Sequence, residues 1–508
     1  MSKCFVCTCE DVTAEDVRQA ISKGYRDVES IKRFTGFGTG VCQGKSCTAA
    51  VARLLADETD LPGAALLPFT PRPPTRLVSY GELATFPVTP EAAPGQGVPP
   101  PVETWEQSAP DGFPGQASHP LEPAEKLPAH ADVVIIGGGI MGLALAWNLA
   151  RRGRRDVLVL EEGYLCSGAS GRNGGGIRAQ WSTATNVRLA RRSIELCRSF
   201  AREFGINVWF RQGGYLFLAP DDEQAARLET NARLHNELGV PTRLLSPGGA
   251  KEIVPQLDGG RFVAAAFNPD DGVVFPWPFM WGYAQGARKL GVRVEPFTRV
   301  KGIETGGGKV LAVHTDRGTV KCGTLVNAAG AWSPGVARLA GVELPNVPHR
   351  HEICSSEPLK PWLGPLVSII GNSGLYFSQS MRGEIVGGMG DPNEPPGLEM
   401  GSTLRFLSRY SRAIVDCVPA LRDVKVIRQW AGCYDHTPDN NPILGETPEL
   451  PNFLQLSGFV GHGFMMAPAV TEAMAAWMTG GPKDEIFDRF TVERFRTGEL
   501  VHEDFIIG

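Results

Sequence analysis

The residues with the clearest chemistry are Gly137-Gly138-Gly139-Ile140-Met141-Gly142, a G-x-G-x-x-G run in a 508-residue chain. The apolar stretch Val133 to Ile136 before it reads as a buried parallel strand. Apolar residues after it recur at helical spacing (Ile140, Leu143, Ala144, Trp147, Leu149), and Asp156 to Leu160 reads as a second strand. In that setting Gly137 permits a tight turn, Gly139 lets a pyrophosphate approach the backbone, and Gly142 packs helix on strand. The helix N-terminus offers free N–H groups to phosphate. Glu161, with Glu162 beside it, places a carboxylate where a ribose 2′-hydroxyl is expected, which favours NAD or FAD over NADP. Two further glycine-rich stretches allow backbone to approach a flat ring closely. One holds Ser170, Arg172, Asn173, Gly174 and Gly175, and the other runs from Gly458 through Gly461, His462, Gly463 and Phe464 into a helix ending at Met478.

A second set is made of thiols. Cys7-x-Cys9 is followed after 32 residues by Cys42-x4-Cys47. Between them lie two short helical patterns, the first started by Thr13 with Glu15 and Asp16. Four thiolates on a small helical unit suit zinc or an iron–sulfur cluster. Zinc modules favour gaps of two to four residues in both pairs, so the one-residue gap speaks for the cluster. Cys4 is then a spare thiol.

These elements must be positioned by a chain long enough for two or three domains. With 42% hydrophobic and 21% charged residues it can bury large cores, and a net charge of −5 gives no reason to expect nucleic acid. No apolar run approaches the ~20 residues that span a bilayer. The N-terminus lacks an apolar signal core, so a cytoplasmic location is expected. Proline and glycine crowd residues 61–129, which read as an extended linker.

CTCEDVT and KRFTGFGTGVCQGKSC resemble the 2Fe-2S domain of the bacterioferritin-associated ferredoxin type. From Asp132 to about Gly480 the chain resembles the D-amino-acid oxidase superfamily of FAD enzymes. Within it, the chain is similar to the sarcosine oxidase beta subunit branch, which includes opine oxidases, hydroxyproline and proline dehydrogenases, and hydrogen cyanide synthase subunits. The resemblance implies an α/β FAD-binding Rossmann-like domain with an interleaved antiparallel β-sheet substrate domain, plus a small helical 2Fe-2S domain. The implied boundaries are 1–60 for the cluster domain and 61–129 for the linker. FAD binding falls to 130–206, 280–346 and 425–480, the substrate domain to 207–279 and 347–424, and a C-terminal tail to 481–508. Val300 would lie against the adenine, Ala329, Gly330, Trp332 and Gly432 beside the cofactor, and the turn around His462 against the flavin pyrimidine. The cluster would sit on Cys7, Cys9, Cys42 and Cys47.

The implied reaction is hydride transfer from the carbon beside a secondary amine to flavin N5, giving an imine that water hydrolyses. Arg178, Gln180, Arg350 or His351, Tyr376, Tyr434, His436 and His462 are the candidates for substrate contact or catalysis, with Arg350 suited to a carboxylate. A cluster favours a dehydrogenase over an oxidase, since it offers a one-electron outlet to a downstream acceptor. It also implies a second flavoprotein subunit. Met465 stands where simple sarcosine oxidases have a catalytic lysine, which weakens sarcosine as substrate. Gly432, one place before Cys433, stands where monomeric enzymes carry the flavin-linking cysteine, and Pro276 where beta subunits carry the FMN-linking histidine. The FAD is therefore expected to be non-covalent, while non-covalent FMN at a subunit interface stays open. The alternatives are an electron-transfer or assembly subunit with structural FAD, and a cyanide-forming glycine dehydrogenase.

Overall fold

Two sheets carry the chain in the computed structural model, which describes all residues except 1–2, 23–24, 60, 62–67, 70–71, 88–125, 372–373, 504 and 506–508. The first is eight-stranded and builds the dinucleotide half. Arg293–Glu295, Val157–Leu160, His130–Ile136, Gly318–Asn327 and Leu450–Ser457 run parallel in that order. Lys309–Thr315 and Val300–Gly306 extend it as an antiparallel meander, and Ile443–Thr447 closes the other edge. Strands buried on both faces need continuous apolar runs, and VVII and VLVL supply them. Helices Ile140–Arg151, Ala184–Phe204, Pro276–Lys289 and Gly463–Met478 bury one face around Leu143, Trp147, Phe200, Phe279 and Tyr283.

The second sheet has nine strands. Its order is Val78–Ser79, Lys425–His436, Val347–Pro358, Glu384–Met389, Tyr376–Gln379, Leu366–Ile369, Tyr215–Ala219, Ala264–Asn268 and Arg243–Leu245. All neighbours are antiparallel except Leu366–Ile369 with Tyr215–Ala219. Lys425–His436, expected within the FAD-binding 425–480, pairs along its length with Val347–Pro358 in this sheet.

The expected linker also behaves differently where it is described. Val78–Ser79 adds an edge strand to Lys425–Val426. Ser79 and Glu82 then form a capping box on the short helix Tyr80–Ala84. Tyr80 is fully buried, its ring 5.9 Å from that of Tyr410. Residues 88–125 of the expected linker lie outside the described residues. Described residues of the expected tail 481–508 are likewise packed. Arg494 and Asp439 form a buried two-point ion pair, at 2.7 and 2.9 Å.

Residues 3–59 fold around their own core of Val17, Ile31, Phe37, Val51 and Leu55. Helices Ala14–Ser22, Val28–Thr35 and Thr48–Glu58 enclose it. Thr13 caps the first, as its sequence suggested, through an Asp16 N to Thr13 Oγ1 bond of 3.2 Å. This unit rests on the body. The Arg33 guanidinium lies 3.8 Å from the Tyr164 ring centroid, and Tyr25 and Phe34 face Trp281. Gln43 donates to Ile427 O at 2.7 Å, and Arg382 pairs with Glu10 at 2.6 Å.

Breaking a buried ion pair by removing one partner leaves an uncompensated charge and costs about 3–5 kcal/mol. Arg494→Met is therefore expected to lower the denaturation midpoint sharply. An Arg494→Met/Asp439→Leu double variant should recover much of it, as read by urea unfolding.

Candidate active site

Between the two sheets lies a cavity of about 520 Å³. One end is built on the G-x-G-x-x-G turn. Gly137 takes φ +114°, and a Cβ there would overlap the Ala328 carbonyl. A Cβ at Gly142 would overlap the Gly137 carbonyl, so the helix can start directly against the turn only with glycine there. Gly142 itself does not face the cavity; its role is packing. Ile140 N donates to Ser170 Oγ at 3.0 Å. The Glu161 carboxylate accepts from Gly138 N and Gly163 N, each at 2.8 Å, and from Ser167 Oγ at 3.1 Å. It thus holds the turn while facing the cavity, and burial pushes its pKa up. Glu162 pairs with Arg299 at the rim, beside Val300.

At the other end the turn Gly458–Phe464 leads into the helix that starts at Gly463. Asp435 shapes it by accepting from Gly458 N at 2.6 Å and Val460 N at 3.2 Å. Burial raises Asp435 to about 6. Gly461 adopts φ +79°, where a Cβ would overlap the Tyr434 ring. Gly461, His462, Gly463 and Phe464 line the cavity; Gly458 does not and serves the turn instead. His462 and Ser457 line the cavity, and their Nδ1 and Oγ atoms are buried without a hydrogen-bond partner.

The wall opposite is aromatic. His351 stacks on Tyr434, with centroids 4.4 Å apart and planes within 9°, and lies near-parallel to Tyr376 at 5.7 Å and 13°. Its Nε2 lies 3.0 Å from Tyr376 Oη. Burial holds His351 down at about 3 and His436 at about 4, while burial and then Arg178 hold His462 well below its usual value. The imidazoles here are neutral.

Arg172, Asn173, Gly174, Gly175, Ala329, Gly330, Trp332 and Gly432 line the cavity. Several catalytic candidates do not. Gln180 lies beneath the wall, bonded to Asp271 Oδ2 at 3.0 Å and Tyr215 O at 3.1 Å. Arg178 is fully buried behind His462, and His436 stacks edge-on against His349 at 5.1 Å. Arg350 points away, pairing with Glu394 at 2.8 Å and donating to Gly401 O at 3.3 Å. With Arg405 and Arg409 on Asp391, it clamps the loop that gives Leu398 and Met400 to the wall. Tyr215, Leu366, Ser378, Val386, Leu398, Met400, Cys433 and Asp435 were missed. Strand alternation could have found Ser378, two residues from Tyr376 on the same face.

All eleven cysteines are free. Cys7 shares a hydrogen bond with Cys47, and Cys9 with Cys42. Burial, with Cys7 alongside, pushes Cys47 up to about 12. Cys42 is brought below its usual value against the penalty of burial, by backbone donors at Ser46 and Gly44 and by the Cys9 thiol. Among the described residues no group of three or more His, Cys, Asp or Glu side chains stands in a metal-holding arrangement.

Residues 132–477 match the family model described as FAD dependent oxidoreductase. The chain belongs to that family. Residues 1–86 match the sarcosine oxidase A3 domain model, past the expected boundary at 60 and through the Tyr80–Ala84 helix. The chain is similar to sarcosine oxidase subunit beta of Rhizobium meliloti, 33% identical, with 74% of this chain and 90% of the relative covered. It is also similar to the bovine FAD-dependent oxidoreductase domain-containing protein 1, at 32% identity over 78% and 91% of the two chains. Among solved structures, L-proline dehydrogenase from P. horikoshii aligns with a TM-score of 0.71 and 38% identity, covering 74% of this chain and all of that one. The homologues and the fold are those of FAD-dependent amine and amino-acid oxidoreductases. The N-terminal unit, expected as ferredoxin-type, thus carries a match to the A3 domain model.

Two outcomes follow for this site. A Cβ at Gly175, at φ +77°, would overlap Val274 O, so Gly175→Val should yield protein purified without the yellow flavin absorbance. The buried imidazoles set an acid limit. A histidine depressed on folding contributes stability above its unfolded value near 6.5 and loses it as pH falls toward the folded value. His351 at about 3, with His436 and His235 at about 4, should therefore make stability fall from pH 6.5 to 4. His351→Asn should flatten that slope in thermal melts across pH.

Proposed function

We propose that the chain is an FAD-dependent dehydrogenase subunit that oxidises the C–N bond of a secondary amine or imino acid. The carrying observation is the neutral imidazole–tyrosine wall facing the turn at His462. FAD, when bound, supplies the hydride acceptor. The glycine turn at Gly137, with Glu161 and Ser170, would hold its adenine half, and the helix start at Gly463 its pyrimidine edge. The amine must be neutral to release hydride, and a dry wall without cationic imidazoles disfavours ammonium by desolvation. Tyr376 and Tyr434 orient the substrate, and His351 offers Nε2 through Tyr376 as a hydrogen-bond relay. Leu366, Val386, Leu398 and Met400 exclude water around the reacting carbon.

The cysteine pairs support a 2Fe-2S cluster at this level of proposal. Each pair joins one thiol from the first motif to one from the second, Cys7 with Cys47 and Cys9 with Cys42. A 2Fe-2S cluster takes four such thiolates. The cluster supplies a one-electron outlet when bound. Free cysteines throughout fit a reducing, cytoplasmic setting. Similarity to proteins named as subunits supports a hetero-oligomer. Non-covalent FMN at its interface belongs to the same proposal. No described helix is long and apolar enough to cross a membrane.

The test is an anaerobic visible spectrum of the purified protein, with iron analysis, during additions of proline, hydroxyproline isomers, sarcosine, opines and glycine. Bleaching of the flavin by one compound, followed by reduction of an iron-dependent band, is the expected result. A flavin that dithionite reduces and none of these amines bleaches would move the chain to the electron-transfer subunit reading.

A further inference from the structure

The family match ends at residue 477, yet residues beyond it reach the floor of the site. The Glu503 carboxylate is fully buried. It accepts from Ser182 N at 2.8 Å, Ser182 Oγ at 2.5 Å, Thr183 Oγ1 at 3.1 Å and Asn186 Nδ2 at 2.9 Å. It therefore fastens the first turn of the helix Ala184–Phe204, just after Arg178. The Phe505 carbonyl accepts from Arg178 Nη2 at 2.7 Å, and its ring packs 4.4 Å from that of Phe217. Glu503 N in turn bonds Asp439 O at 3.2 Å, and Asp439 is the partner of Arg494.

Arg178 has little else to hold it. Its guanidinium donates to Gln180 O, lies 4.0 Å from the Trp181 ring, and brings Nη2 within 3.4 Å of His462 Nε2. Its Nε has no partner. A buried guanidinium keeps its place only where acceptors meet its fixed fork of donors. Among the described residues, acceptors from Gln180 and Phe505 meet that fork.

We propose that the C-terminal segment is a positioning element of the active site: Glu503 and the Phe505 carbonyl seat Arg178 behind His462 and so fix the imidazole at the flavin edge. This rests on the flavin reading above. His462 is faced by Arg178 and the Trp181 ring from below and by His436 and His351 from the nine-stranded sheet. Arg178 is faced in turn by Asp271, Glu503 and Tyr215. Burial and the adjacent guanidinium keep His462 neutral. Without the segment, water reaches the imidazole, Arg178 shifts, and His462 returns toward its ordinary titration range.

The experiment compares the full chain with one ending at His502, both purified with FAD. The flavin absorption spectrum is recorded from pH 5 to 8, and kcat and KM are measured on whichever amine bleaches the full chain. The expected result is equal FAD content with a new spectral titration between pH 5 and 7. A fall in kcat on the order of 10- to 100-fold, with KM nearly unchanged, should accompany it. Addition of a peptide spanning residues 503–508 should restore both. If the shortened chain does not fold, Glu503→Gln in the full chain is read the same way. An FAD-loaded variant with the parent spectrum at every pH and the parent kcat overturns the proposal. A full chain without FAD overturns the flavin reading instead.

Discussion

The parallel pairing of Gly318–Asn327 between His130–Ile136 and Leu450–Ser457 is the constraint on which the site depends. Asn327 stands in register with Ile136 on one side and Gln455 on the other. His130–Ile136 and Gly318–Asn327 therefore end level and Leu450–Ser457 runs two residues further, and they lead into Gly137–Gly139, Ala328–Gly330 and the turn Gly458–Gly463. Segments more than 300 residues apart along the chain become one cradle. Asn327 also ties the ends together, its Nδ2 donating to Gln455 Oε1 at 2.9 Å and Ser333 O at 3.0 Å. Carboxyl ends of parallel strands are where open α/β sheets bind ligands, because helix N-termini converge there.

The second sheet supplies what that cradle lacks, a wall of defined polarity. Its strands Val347–Pro358, Tyr376–Gln379 and Lys425–His436 stack His351 on Tyr434 and near-parallel to Tyr376. The rings are dry, so their imidazoles stay neutral and their hydroxyls titrate above the ordinary range. Such a surface selects by shape and hydrogen bonding rather than by charge. Charges are used around it instead, where Arg350, Arg405 and Arg409 grip the loop carrying Leu398 and Met400.

Both ends of the chain are recruited to this centre. The N-terminal unit rests Arg33 on Tyr164 and Phe34 near Trp281, beside the glycine-rich segment 168–176. The C-terminal residues pass under the first turn of Ala184–Phe204 to reach Arg178. Arg178 is thus held by a segment more than 300 residues away in sequence.

What the sequence by itself determined is what local spacing encodes. The G-x-G-x-x-G turn, its flanking strands, the glycine-rich stretches and the paired cysteine motifs are legible because each is decided within a few residues by backbone sterics and side-chain type. The glycine-lined end of the cavity is built from them. The aromatic wall is not. Arg350 looks like a carboxylate anchor until Glu394 is seen to occupy it, and Gln180 looks like a site residue until Asp271 does. Residues 425–436 join the nine-stranded sheet by pairing with Val347–Pro358, a partnership that local pattern does not encode. Residues 72–87 read as linker because proline-rich flanks hide a strand of two residues and a buried tyrosine. Those outcomes rest on burial and on partners distant in sequence, which only the packing of the two sheets and both chain ends decides.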